Sequence, residues 1–382
     1  MMPEYSVNNN QKIEESTRKL RTKTAHSCLS CVDLFAGAGG FSLSAQKSGI
    51  IVKAAVEYDR SACSTYTANF IADKENPPTL YPGDIRELDP QELLNRHFQG
   101  PGHCDLVLGG PPCQGFSTHR IKNAGVDDPR NDLILKYFEF VSVLRPQVFL
   151  MENVPGILWP RHRENIEAFY KEGKKAKYRI HPPVVLDARN YGVPQRRKRV
   201  FILGIRNDLK LDMQWPPPKT HGCEVARQGN PLLLPWETAA GIFEMPLRSD
   251  DENNLHMKHS PELIARFMAT PLNGGSRSQS GFKLPCHEEH NGHADVYGRI
   301  DPSQPGPTMT TACVNPSKGR FVHPTEHHGI TVRHAARFQT FPDDFVFYGG
   351  LMAAGAQVGN AVPVKLGEVL LAEIKRGLER AR

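Results

Sequence analysis

The 382-residue chain contains no run of about 18 apolar residues, so nothing in it has the length and hydropathy of a membrane-spanning helix. Its first residues, MMPEYSVNNNQKIEESTRKLRTKT, lack the apolar stretch of a secretory signal, and a cytosolic location is expected. Cysteine is scarce, eight residues in no regular framework, which excludes a disulfide-stapled secreted scaffold and leaves thiols for chemistry in a reducing compartment. The Cys28-x-x-Cys31 pair has no second pair at finger-like spacing. Cys286, His287, His290 and His293 in CHEEHNGH are denser, yet no matching ligand pair recurs, so no metal is expected. Internal repeats are absent, which sets aside solenoids and propellers.

Charge of one sign is also short overall, with 47 Lys and Arg against 41 Asp and Glu, a net +6. The distribution is uneven. Residues 161 to 206 hold thirteen basic and four acidic side chains, a local +9, while the rest of the chain is slightly acidic. Such a run is either a solvated helical face or a contact for a polyanion, and charge alone does not separate the two.

What the sequence does have is alternation. Residues 1–27 are polar and are expected to form a flexible tail. From Cys31 to Arg206 the apolar runs CVDLF, IVKAAVE, CDLVLGG, PQVFLMENV and RVFILGI alternate with helical patterns, the signature of a parallel sheet covered by helices. From 206 to 325 Pro, Gly, Asn, Ser and His dominate and turn signals recur, which reads as a separate loop-rich unit. Helical patterning returns in ITVRHAARFQTFPDDF and after QVGNAVP, where Pro363 suits a helix first turn.

Chemistry concentrates where apolar runs end. In VLGGPPCQGFS a cysteine follows a short strand and two prolines whose fixed φ makes a stiff turn, a good mount for a thiol at the carboxyl edge of an α/β sheet. In DLFAGAGGFS, Gly37, Gly39 and Gly40 permit a tight turn and close approach of a nucleotide-like ligand, although Ser42 stands where a dinucleotide fingerprint has its last glycine. Glu57, at the end of the second apolar run, can accept from ribose hydroxyls, and Asp84 in YPGDI offers a further acceptor. Three successive strand ends of this kind suggest an adenosine-containing ligand without saying which.

Taken together, DLFAGAGGFS, GGPPCQGFS, MENV, QRRKR and QVGNAVP resemble, in order and spacing, the motifs of the DNA (cytosine-5)-methyltransferases of bacterial restriction-modification type, from about Cys31 to the C-terminus. The resemblance implies an α/β, Rossmann-like S-adenosylmethionine-dependent methyltransferase domain, 28–205 and 326–382, with a smaller loop-rich target-recognition domain, 206–325, inserted in it. It implies methyl transfer from S-adenosyl-L-methionine to carbon 5 of a flipped-out cytosine in double-stranded DNA, by a single chain of the bacterial cytosol, with a separate cognate restriction endonuclease as a partner. By the same resemblance Cys113 is the nucleophile, Glu152 meets charge at the ring nitrogen, and Arg197 and Arg199 supply positive charge. The cofactor falls to Phe35, Ala36, Gly37, Gly39, Gly40, Glu57, Tyr58, Asp84, Ile85, Pro112, Leu133, Asn360, Ala361 and Val362. DNA falls to Gln114, Ser117, Thr118, Arg120, Gln195 and Arg277.

The residue types suit that chemistry. Carbon 5 of cytosine is a poor nucleophile, and a thiolate adding to carbon 6 activates it; a free thiol of pKa about 8.5 is only slightly ionised at neutral pH, so nearby cations help. A glutamate with an ordinary pKa of about 4.3 must be buried, or touch the base, to be protonated. Thr118 to Asn131 resembles the loop that closes over a flipped base. The stretch ARFMATPLNGGSRSQSGFK, basic and without an acid, is the expected DNA-facing piece of an insert that has twelve basic and thirteen acidic residues. His334 stands where the family commonly has glutamate, which puts local packing there in question. An RNA substrate is a rival reading that the sizeable insert disfavours. A catalytically dead DNA-binding relative is opposed by intact Cys113, Glu152 and Arg197, and a nicotinamide dehydrogenase leaves PPCQ, ENV and QRRKR without a role.

Overall fold

A computed structural model describes residues 28–112, 132–282 and 295–382. Its centre is an eight-stranded sheet in the order β3-β2-β1-β4-β5-β8-β6, with β7 also paired to β8. The strands are β1 Ser30–Leu34, β2 Ile51–Glu57, β3 Thr79–Pro82, β4 Leu106–Gly109, β5 Val148–Asn153, β6 Tyr178–Ile180, β7 Val184–Asp187 and β8 Lys198–Arg206. Helices α1 Gly40–Lys47, α2 Arg60–Tyr66, α3 Pro90–His97, α4 Asp132–Leu144 and α5 Arg163–Lys175 make the crossovers. This is the α/β arrangement that the alternating apolar runs predict, in the Rossmann-like form that the resemblance implies.

Strand period two distributes the side chains. Leu106 and Leu108 of β4, Val148 and Leu150 of β5, and Phe201 and Leu203 of β8 enter one apolar cluster. Their neighbours Val107, Phe149, Met151, Val200 and Ile202 enter the cluster on the other face. A sheet buried on both faces reads as continuous apolar runs, which is why these strands are visible in sequence.

One expectation of strand direction is corrected. The sheet is parallel from β3 to β5, but β8 runs antiparallel to β5, β6 and β7. Between β7 and β8 lie ten residues, a short turn Ala188–Tyr191 and the helix-free segment to Arg197. A parallel return needs a crossover of about a dozen residues or more, so the chain can only double back.

From 206 to 282 and 295 to 325 the chain is loop-rich, with a two-residue pairing of β9 His221–Gly222 and β10 Leu234–Pro235 and the short helices α6 Glu224–Gly229, α7 Ala240–Glu244 and α8 Pro261–Ala269. Helices α9 Val332–Phe338, α10 Gly350–Asn360 and α11 Val364–Ala381 complete the chain. Both ends of the loop-rich stretch pack into the body: Met213 and Trp215 against the α11 side, Met309, Val314 and Phe321 into a third cluster. Pro363 is the residue just before α11. His334 keeps the start of α9 in order: its N–H donates to Thr331 Oγ1 and its Nδ1 accepts from the Thr331 N–H, a capping box with imidazole in the place of a carboxylate. Burial, then neighbouring His323, pushes His334 down to about 3, so the ring is the neutral acceptor that the box needs.

Candidate active site

β1 ends in a strained turn. Phe35 has φ of 60°, a left-handed value rare for an aromatic residue, and Gly37 and Gly39 follow at 57° and 94°. The turn is tied to β2 by Ala36 N–H to the Val56 carbonyl, 3.0 Å, and by Gly37 N–H to Glu57 Oε2, 2.7 Å. The other Glu57 oxygen accepts from the Asp59 N–H at 2.8 Å. Burial nevertheless raises the Glu57 carboxyl above its ordinary range.

Gly40 is a glycine for a steric reason: a Cβ there would lie 2.6 Å from the Val362 carbonyl oxygen and 3.4 Å from Ala361 Cβ. The first and last motifs of the chain are therefore in direct contact. The expected cofactor residues otherwise vary in setting. Ile85 is buried, Leu133 half-buried, and Pro112 and Asn360 exposed. Tyr58, next to Glu57 in the chain, is 75% exposed. Asp84 follows β3, and Arg86 holds both its oxygens and keeps its carboxyl below the usual range.

Beneath the turn lies Asp33, a residue with no role in the motif reading. It is 1% exposed; Ser42 Oγ donates to its Oδ2 at 2.7 Å, and the Tyr66 hydroxyl is 2.8 Å from Ser42 Oγ. Its Oδ1 is buried with no hydrogen-bond partner among the described residues, and burial raises the carboxyl to about 7. The first acidic residue of DLFAGAGG, on a strand that is otherwise largely apolar, is the signal that could have found it.

The second half of the site is the carboxyl end of β5. Glu152 is 8% exposed, with Oε1 2.9 Å from Arg199 Nε; the N–H is not aimed at that oxygen, which has no aligned hydrogen bond among the described residues. Burial raises the Glu152 carboxyl, and Arg199 and then Arg197 oppose the rise. Its other oxygen, Oε2, sits 3.3 Å from the Cβ position of Gly110. Asn153 Nδ2 donates to the Pro111 carbonyl at 3.3 Å, so MENV is pinned to the GGPP turn that leads into Cys113. Cys113, Gln114, Ser117, Thr118 and Arg120 lie outside the described residues, as do the loop to Asn131 and CHEEHNGH.

QRRKR divides into alternating halves. Gln195 is expected at the DNA, but it is 0% exposed and its amide is fully used: it donates to the Phe338 carbonyl and Gln339 Oε1, and accepts from the Met309 N–H. A side chain with no surface and no free polar atom cannot read a base, and that expectation is corrected. Arg197, also 0% exposed, donates to the carbonyls of Met309, Gly359 and Ala361. Gln339, unremarked in sequence, donates to the carbonyls of Val358 and Ala361. These three side chains fasten β8, the return from the loop-rich stretch, and the NAV segment together. Arg277 is half-buried in a short 3₁₀ turn, Arg277–Ser280.

The chain is 33% identical to the type II methyltransferase M1.HphI of Haemophilus parahaemolyticus over 352 residues, covering 90% of this chain and 85% of that protein. It is 32% identical to M.MthTI of Methanothermobacter thermautotrophicus over 359 residues, 90% and 96% of the two chains. Among solved structures, an E. coli prophage protein assigned as a DNA modification methyltransferase superposes with a TM-score of 0.71 at 26% identity, covering 92% of this chain and 99% of that one. The profile of the C-5 cytosine-specific DNA methylases matches residues 29–376, and the chain belongs to that family.

Proposed function

We propose that this sequence-specific DNA (cytosine-5)-methyltransferase activates its target base between Cys113 and Glu152, with Arg199 as the cation that orients Glu152. The observation that supports this reading most is the buried Glu152, with Arg199 Nε 2.9 Å from its Oε1 and its Oε2 against Gly110 of the turn that leads into Cys113. The Cys113 thiolate adds to carbon 6 of a cytosine held outside the duplex, and the displaced electron pair moves into the ring. Glu152, whose burial favours the protonated carboxyl, gives its proton to the ring nitrogen as that charge arrives, and carbon 5 gains the electron density that methyl acceptance requires. After transfer, loss of the carbon 5 proton to a base such as water expels the Cys113 thiolate, and Glu152 takes its proton back.

Arg197 acts differently in this reading. With its Nη atoms committed to backbone carbonyls it is a positioning residue, and Arg199 is the arginine within reach of the chemistry.

S-adenosyl-L-methionine, when bound, supplies the methyl group on a cationic sulfur. The residues suit it: the Phe35 to Gly40 turn permits close approach, Glu57 and Asp84 present carboxylates, the exposed Tyr58 ring and the buried Ile85 offer apolar surface for adenine, and Asn360 to Val362 close the far side. Pro112 and Leu133 complete the wall in this proposal. One chain holds all of these groups, which supports a working monomer. Among the described residues no helix is long and apolar enough to cross a membrane. The relatives' designation as type II methyltransferases supports a cytoplasmic modification enzyme paired with a separate endonuclease of the same target. The loop-rich stretch is the proposed target-recognition unit.

The test is incubation of the purified protein with tritiated-methyl S-adenosylmethionine and unmethylated genomic DNA, followed by bisulfite sequencing. Label at cytosines of one motif is expected, lost in Cys113→Ala and reduced about 10²–10⁴-fold in Glu152→Gln. Label in RNA but not DNA, or full activity in Glu152→Gln, refutes it.

A further inference from the structure

The basic run from 161 to 206 is not one surface, because the chain crosses the sheet twice within it. β5 ends at Asn153 on the site edge, α5 descends from Arg163 to Lys175, and β6 pairs Tyr178 with Arg206 at the opposite edge. Lys174, Lys175, Lys177 and Arg179 therefore gather far from Glu152. There Lys175 meets Glu172 and Arg206 meets Asp208. On the site edge most cations are also spent: Arg163 on Glu167, Arg189 on Asp187, and Arg161 on the Trp159 ring at 4.6 Å. Arg197 and Arg199 turn inward.

Two cations remain. Arg196 and Lys198 are exposed, and no hydrogen bond or ion pair engages either side chain among the described residues. Their backbone is held firmly. The Arg196 N–H donates to the Gly306 carbonyl at 2.8 Å, Thr308 Oγ1 donates to the Arg196 carbonyl, and Lys198 is paired with Asp187 in the β7–β8 ladder. Alternation makes the pattern: the odd residues enter the site and the even ones face solvent at the same strand end. Two residues of extended chain span about 6.7 Å, comparable to the step between successive phosphates of one DNA strand.

We propose that Arg196 and Lys198 form a two-point phosphate contact that seats the duplex backbone at the rim of the base site. The inference rests on the placement of the target base against Glu152, and it assigns the run's contribution to DNA affinity to these two side chains and not to the run as a whole. Each phosphate neutralised on duplex DNA contributes about 0.9 to the slope of log affinity against log salt, so the pair accounts for about 1.8 of that slope.

The test is equilibrium binding of a fluorescein-labelled, mixed-sequence duplex, without cofactor, across about 50 to 200 mM NaCl. Arg196→Ala/Lys198→Ala is expected to flatten the slope by about 1.8, so that wild type loses about 12-fold more affinity than the variant across that range. Arg196→Gln and Lys198→Gln singly are expected to remove about 0.9 each, which decides the matter even where the double variant folds poorly. Lys174→Ala/Lys177→Ala, at the opposite edge, is expected to leave the slope as in wild type. An unchanged slope in the Arg196 and Lys198 variants, or an equal flattening in the Lys174 and Lys177 variant, overturns the proposal. Because binding is read without chemistry, failure here is distinct from failure of the Glu152 reading, which shows only in methyl transfer.

Discussion

Replacing Asp33 by asparagine should make the cofactor-free protein more stable in base and change little in acid. Asp33 is 1% exposed, one of its oxygens has no partner among the described residues, and burial lifts its carboxyl from 3.8 to about 7. The folded chain thus holds a proton that the unfolded chain gives up at a lower pH. A raised folded pKa contributes stability that is fully present below about 3.8 and is lost as pH rises through about 7. A tenfold change in proton affinity is worth about 1.36 kcal/mol, so wild type should lose about 4 kcal/mol from this group between pH 4 and 8. Asparagine cannot ionise, and its oxygen can still accept from Ser42 Oγ. The assay is urea unfolding of both proteins at a series of pH values, plotted as the difference, so that groups common to both cancel. A difference near zero in acid that grows to about 4 kcal/mol in favour of Asp33→Asn at pH 8 is expected. A flat difference would mean that Asp33 stays ionised throughout, and that the orphaned oxygen has found a partner.

Gly40→Ala places a methyl 2.6 Å from the Val362 carbonyl oxygen, and since backbone cannot yield cheaply the cost should be about 1–3 kcal/mol in unfolding free energy. Calorimetric titration should also show S-adenosylmethionine affinity reduced about tenfold or more, because the shifted segment is the far wall of the pocket; unchanged affinity would separate NAV from that pocket. For His334, whose folded pKa of about 3 lies below the ordinary 6.5, stability is present above about 6.5 and is lost as pH falls toward 3. His334→Gln keeps an acceptor for the Thr331 N–H, so it should match wild type within about 1 kcal/mol at pH 8 and lose less stability in acid; equal acid loss would refute the role given to burial.

The sheet is legible in the sequence because a strand buried on both faces must be apolar throughout, and β1, β2, β4, β5 and β8 each are largely so. β6 and β7 are not, since YRI and VVLD are short edge pieces with exposed positions that carry no period. The direction of β8 is hidden for a related reason. Apolar content reports burial, while direction is set by the length of the connection, and the turn from Ala188 onward has no helix to carry a crossover.

The site shows the same division between residue type and geometry. Gly40 and Glu57 stand out in the sequence as candidate cofactor residues because a glycine-rich turn and a carboxylate end apolar runs there, and Glu152 enters through the motif resemblance; that the last motif presses on Gly40 is visible only in the structure. QRRKR could not be resolved that way, since a string of cations looks uniformly basic. Strand geometry splits it at every residue. Gln195, Arg197 and Arg199 are taken inside by carbonyls, an amide and a carboxylate, and Arg196 and Lys198 are left at the surface. The buried members could not remain there unpaired, because an uncompensated buried guanidinium costs several kcal/mol, so their partners had to be supplied by segments far away in sequence. Met309, Gly359 and Ala361 supply carbonyls to Arg197, and Gln339 supplies its oxygen to Gln195. The desolvation of this strand thus explains why the last motif of the chain returns to the first: the NAV turn that satisfies Arg197 through the Ala361 carbonyl also presses on Gly40 through the Val362 carbonyl, so the proposed base side and the proposed cofactor side meet at two successive residues.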